Sequence, residues 1–118
     1  MPFEADRFRL VATFQLERAS YDDREALGRT AVGRLYYACY LRLRGYLRSQ
    51  GTRATTVATV VAALTATPEL LGIGLDLEAL HALRNQADYD DSNEFGAEKV
   101  ALCRRLTNRI EEEMAPHW

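Results

Sequence analysis

Long apolar runs are missing from this sequence. No stretch approaches the about 18 uninterrupted apolar residues of a membrane-spanning helix, and Glu4 and Asp6 interrupt the start where a secretion signal would carry its apolar segment. Prolines number only three, and with 47% apolar and 27% charged residues the composition is not that of a disordered chain. The two cysteines, Cys39 and Cys103, sit among apolar neighbours and are expected as small buried hydrophobes in a reduced, cytoplasmic protein. Histidine is equally scarce: His81 and His117 stand far apart, and Asp90-Asp91 lacks a loop of calcium-binding spacing, so no metal site is expected. Neither a glycine-rich phosphate loop nor a Gly-x-Ser-x-Gly turn appears, which leaves no cofactor motif and no triad for hydrolase chemistry.

Acid, too, is absent from one long segment. Residues 26–68 carry six arginines and no carboxylate, whereas residues 69–118 carry five basic and eleven acidic side chains, a segregation hidden by the net charge of -2. Such a split focuses positive field on one surface and attracts a polyanion. It equally allows a basic helix to dock on an acidic one, within one chain or between two.

At 118 residues the chain is expected to form one domain, residues 1–118, around a single core. Alanine, leucine and arginine dominate, and all are strong helix formers. The spacing of apolar residues predicts helices over 4–19, 22–50, 54–66, 75–88 and 94–114. Asp22, Asp23 and Glu25 suit the first turn of the second helix, and Gly51 suits its stop. Leu27, Ala31, Leu35, Ala38, Cys39, Leu43 and Leu47 make that helix the spine of the fold. Its glycines at 28, 33 and 45 suggest a close crossing or a gentle bend. Threonine and valine crowd residues 52–61, where a strand is the competing assignment. Gly72 and Gly74 read as part of a connection over 69–74, and Glu111-Glu112-Glu113 as a solvated helix end. The fold class is all-α: an up-and-down bundle of four main helices plus one short helix.

Two segments put polar groups inside these apolar helices. At about 100° per residue, His81, Arg84 and Asp88 fall in one stripe beside the Leu77, Leu80, Leu83 and Ala87 face. Arg84 and Asp88 are spaced for an i,i+4 ion pair. Alternatively the planar guanidinium binds a phosphate, with His81 as a proton-transfer group. On the second helix Arg34 and Tyr37 share a face. Tyr36, Tyr37, Tyr40 and Tyr46 are expected mainly as aromatic packing between helices or across a dimer.

Arg34-Leu35-Tyr36-Tyr37-Ala38 followed by Arg84-Asn85-Gln86-Ala87-Asp88-Tyr89 resembles the HEPN superfamily, small helical-bundle domains of prokaryotic toxin–antitoxin, CRISPR-associated and abortive-infection systems. The similarity is to its compact stand-alone group and covers roughly residues 5–112. It implies a helical bundle that dimerises through the signature-bearing helices. It further implies metal-independent endoribonuclease activity in a composite cleft, where an arginine stabilises the scissile phosphate and a following histidine moves the proton. Arg84 matches that arginine. No histidine lies between positions 85 and 92, so Tyr89, Asp88 and His81 are the candidates beside it. Arg34, Tyr37 and Asn85 are the expected phosphate or RNA contacts. Related systems pair the HEPN protein with a nucleotidyltransferase that modifies a tyrosine, for which Tyr89 is the nearest counterpart. Expected partners are therefore a second copy, RNA, and such a transferase. A non-catalytic module binding the transferase or a nucleotide is the alternative.

Overall fold

The computed structural model describes residues 24–89 and 96–118, apart from the side chains of residues 24–26 and Tyr89. The helix expected over 4–19 lies outside the described residues. Within them the chain is an all-α, up-and-down bundle: α1 (Arg24–Ser49), α2 (Val57–Thr65), a 3-10 turn (Pro68–Leu70), α3 (Leu71–Tyr89) and α4 (Ala97–Met114). Among the described residues no strand forms, and no single helix is long and apolar enough to cross a membrane.

α1 is the spine, packing on both α3 and α4, which also pack on each other. Contacts run antiparallel between α1 and α3, from Arg29 against Ala87 to Tyr36 against His81. Val32 and Leu43 of α1, Leu77 and Leu80 of α3, and Ile110 and Met114 of α4 are sealed from solvent. Each such side chain contributes about 1.5–3 kcal/mol on burial. Cys39 and Cys103 are buried and form no disulfide, and burial pushes the Cys103 thiol up to about 12, far from reactive thiolate.

Helix stops follow local chemistry. α1 ends where Gly51 takes φ 85°, while the Thr52 and Gly51 amides donate to the Leu47 and Arg48 carbonyls at 2.8 and 3.0 Å. Glycine holds this left-handed corner without the steric cost of a Cβ. The Thr/Val-rich segment is helical from Val57 on, because its threonines cap it. The Thr56 hydroxyl accepts from the Thr59 amide, and the Thr59 hydroxyl accepts from the Thr56 amide. Val60 and Leu64 then face the core.

Two sequence expectations are corrected. α3 begins at Leu71, so Gly72 and Gly74 belong to the helix and not to a connection. A close crossing that requires glycine is found on α3. A Cβ at Gly74 would lie 2.7 Å from Thr65 Cγ2, 3.0 Å from Leu64 Cβ and 3.1 Å from the Thr65 backbone nitrogen. At Gly45 a Cβ would meet nothing within 4 Å. Glycine 74 lets α2 fold back against α3, the two meeting at a 118° bend. Gly74→Ala should gain about 1 kcal/mol of helix propensity but lose about 1–3 kcal/mol to overpacking. The net expectation is a lower urea midpoint with an unchanged slope.

Glu111 is also not simply solvated. It accepts from Arg42 Nη1 at 3.0 Å, and the Arg42 guanidinium lies 3.9 Å from the Trp118 ring centroid. For this arginine the basic helix does dock on the acidic one. On the far side of α4, Arg109 forks onto the buried Asp76 carboxylate at 2.7 and 2.6 Å, a bond that, with the carboxylate's charge, raises the pKa of Arg109.

Candidate functional site

The antiparallel contact of α1 and α3 leaves an open cleft of about 630 Å³ between them at the start of α2. One wall comes from α1, whose stripe Arg29, Gly33, Tyr36 and Tyr40 adjoins Thr30, Arg34 and Tyr37. The other comes from α3 through His81, Arg84 and Asp88, spaced three and four residues apart so that all three project together. Val57 closes the end.

Arg29 fixes the width. Its Nη1 donates to the Gln86 and Ala87 carbonyls at 3.2 and 3.0 Å. These groups near the end of α3 lie where a helix leaves carbonyls unsatisfied and carries partial negative charge. The opposite end is tied by the Tyr40 hydroxyl, which donates to the Thr55 carbonyl at 2.9 Å.

Between these ties the aromatic rings form a floor. Tyr36 and Tyr40 stack with centroids 6.0 Å apart and planes 9° from parallel. Tyr37 leans on Tyr40 at 6.4 Å and is 49% exposed, the most open ring of the three. His81 lies 5.5 Å from the Tyr36 centroid, and the Arg84 guanidinium carbon lies 5.8 Å from the same ring. This geometry places a cation on an aromatic face.

Protonation follows from these neighbours. Burial, then the Arg84 charge, lowers the His81 pKa below its ordinary 6.5, so the imidazole is neutral at pH 7. Burial raises the Tyr36 pKa, Tyr40 and Tyr37 adding to the rise and Arg84 opposing it, so the phenol keeps its proton. The described lining thus holds three guanidiniums, one carboxylate and a neutral imidazole. Its chemistry is that of an anion site with a proton acceptor and stacking surfaces. Among the described residues no group of three His, Cys, Asp or Glu side chains is placed to hold a metal ion.

Arg84 and Asp88 form the i,i+4 ion pair that their spacing predicted, Nε to Oδ2 at 2.7 Å, with both side chains about one-third exposed (34% and 35%). The pair is wet, so Asp88 competes with any incoming anion without sealing Arg84 away. Asp88→Asn should tighten phosphate binding about two- to fivefold, the equivalent of an exposed ion pair worth a few tenths to 1 kcal/mol. Calorimetric titration with inorganic phosphate would measure it. Unchanged affinity would mean that Asp88 does not compete at Arg84.

Of the residues expected from sequence, Arg34, Tyr37, His81, Arg84 and Asp88 meet in the cleft. Asn85 is half-buried and does not line it. The Tyr89 side chain lies outside the described residues. Arg29 and the cleft roles of Tyr36 and Tyr40 were not anticipated. Their signal was the spacing of Arg29, Gly33, Tyr36 and Tyr40, a second polar stripe beside the Arg34–Tyr37 one.

No match was found in comparisons with family models, with curated proteins or with solved structures.

Proposed function

We propose that this protein is a HEPN-like component of a toxin–antitoxin or defence system and acts on RNA as a metal-independent endoribonuclease. The observation that carries the proposal is the meeting of Arg34, Arg84 and a neutral His81 in one open, tyrosine-floored cleft. The histidine missing after Arg84 has a stand-in three residues before it, on the same face of α3. Arg84 and Arg34 hold the oxygens of a phosphodiester, for which planar guanidinium groups are well shaped. His81 takes the proton of the adjacent 2′-hydroxyl, whose oxygen attacks phosphorus. The bond from phosphorus to the 5′ oxygen breaks, and that oxygen takes a proton from cleft water. The products are a 2′,3′-cyclic phosphate and a 5′-hydroxyl end. Tyr37 offers its exposed face to a neighbouring base.

The active form is a two-fold homodimer in which two clefts face each other. A monomer in light scattering at micromolar concentration would remove the composite cleft. Incubating the protein with end-labelled single-stranded RNA in the presence of a chelator tests the reaction. Cyclic-phosphate ends that depend on Arg84 and His81 are expected. Intact RNA with the unaltered protein would overturn catalysis.

One observation favours the second reading, a non-catalytic module that binds a nucleotidyltransferase partner or a nucleotide. Asp88 already occupies Arg84 Nε. Nucleotide binding without cleavage would select that reading.

A further inference from the structure

We infer that the cleft is the mouth of a longer track along α1 that holds an RNA strand several nucleotides in length. The inference rests on the RNA-directed reading above and extends it from one phosphate to a polymer.

The six arginines of residues 26–68 divide by task. Arg29 is turned to the α3 carbonyls and Arg42 to Glu111 and Trp118, so both serve packing. Arg34, Arg44 and Arg48 instead fall on one face of α1, at spacings that also bring Tyr37 and Leu41 into line. The stripe is continuous with the cleft. Tyr40 lines the cleft, and the Arg44 guanidinium carbon lies 5.4 Å from the Tyr40 ring centroid. Arg48 is exposed one turn further on, and Arg53 is exposed just past the Gly51 corner.

From Arg34 to Arg48 the helix rises fourteen residues at about 1.5 Å each, about 21 Å in all. That is too long for a single nucleotide and suits a strand that presents successive phosphates. No carboxylate from residues 26–68 interrupts the stripe. At the cleft end the described lining includes one acid, Asp88. Arginines on either side of the exposed Tyr37 fit a single strand, whose unpaired bases can stack while its backbone follows the positive charge.

The test compares the unaltered protein with an Arg48→Gln/Arg53→Gln double variant, both exposed and outside the cleft lining. Two probes are used, a fluorescein-labelled 12-nucleotide 2′-O-methyl RNA that resists cleavage and the matching trinucleotide. Affinity is measured across a salt series. The log–log salt slope for the 12-mer should fall by about 1.4 in the variant, two contacts at about 0.7 each for single strands. Trinucleotide binding should not change. An unaltered slope with the 12-mer still bound would overturn the track and leave the cleft reading standing. Failure of the unaltered protein to bind either probe would overturn both. A variant whose sedimentation shifts from dimer to monomer would overturn the track by showing that this face meets a second copy.

Discussion

Replacing Arg84 by alanine should lower RNA cleavage roughly a hundred- to a thousandfold, the scale for losing one group that stabilises developing charge on a transferring centre. The fold should survive. Arg84 sits at the margin of the apolar face of α3, its side chain is about one-third exposed, and its ion pair with Asp88 stays within one helix. Exposed pairs of this kind contribute about 0–1 kcal/mol, and the total cost should stay below about 2 kcal/mol. Arg84→Lys separates charge from shape. Lysine keeps the positive charge but loses the planar fork and the Nε–H that reaches Asp88, so activity should recover only in part. Circular dichroism and a denaturant titration run beside the cleavage assay make the outcomes distinct. An unfolded Arg84→Ala protein would make Arg84 a structural keystone and remove it from the chemistry. A folded and fully active one would place the site elsewhere on the molecule.

The helical spine was legible because its signals are local. Leu35, Cys39, Leu43 and Leu47 repeat every four residues, and Gly51 marks the stop, so periodicity and backbone conformation agree. The start of α3 was illegible for the opposite reason. Gly72 and Gly74 look like breakers to any local rule, and only the approach of Thr65 explains why a small residue is needed inside that helix. Partner identity showed the same limit. That Glu111 is tied to Arg42 and Asp76 to Arg109 depends on which helices lie side by side. The i,i+4 pairing of Arg84 with Asp88 needs only one helix and was readable. In the cleft, the residues found from sequence were those in short motifs. Arg29 was missed because its partners are backbone carbonyls of another helix, which no side-chain pattern records.

Removing the imidazole should have an effect as large as removing the guanidinium. His81→Ala should slow cleavage about a hundred- to ten-thousandfold, the range for losing a positioned general base. The pH profile carries the sharper expectation. Burial and the Arg84 charge both favour neutral imidazole, so His81 titrates below 6.5. Cleavage should rise with pH through a value below 6.5 and level off above it, where the base is unprotonated. Arg84→Gln removes one of the two causes, so the histidine titration, followed by NMR, should move up toward 6.5 in that variant. Stability has the matching sign. The unfolded chain binds a proton at His81 more readily than the folded one, so stability is lost as pH falls from 6.5 through the folded-state value, and this loss disappears in His81→Ala. If His81→Ala keeps full activity, or the unaltered protein shows no inflection below 6.5, the proton acceptor is another group. Arg84 would then serve a cleft that binds RNA without this base. An upward titration shift in Arg84→Gln, joined to a lost acid limb in His81→Ala, would require the two residues to act on one another across a single turn of α3.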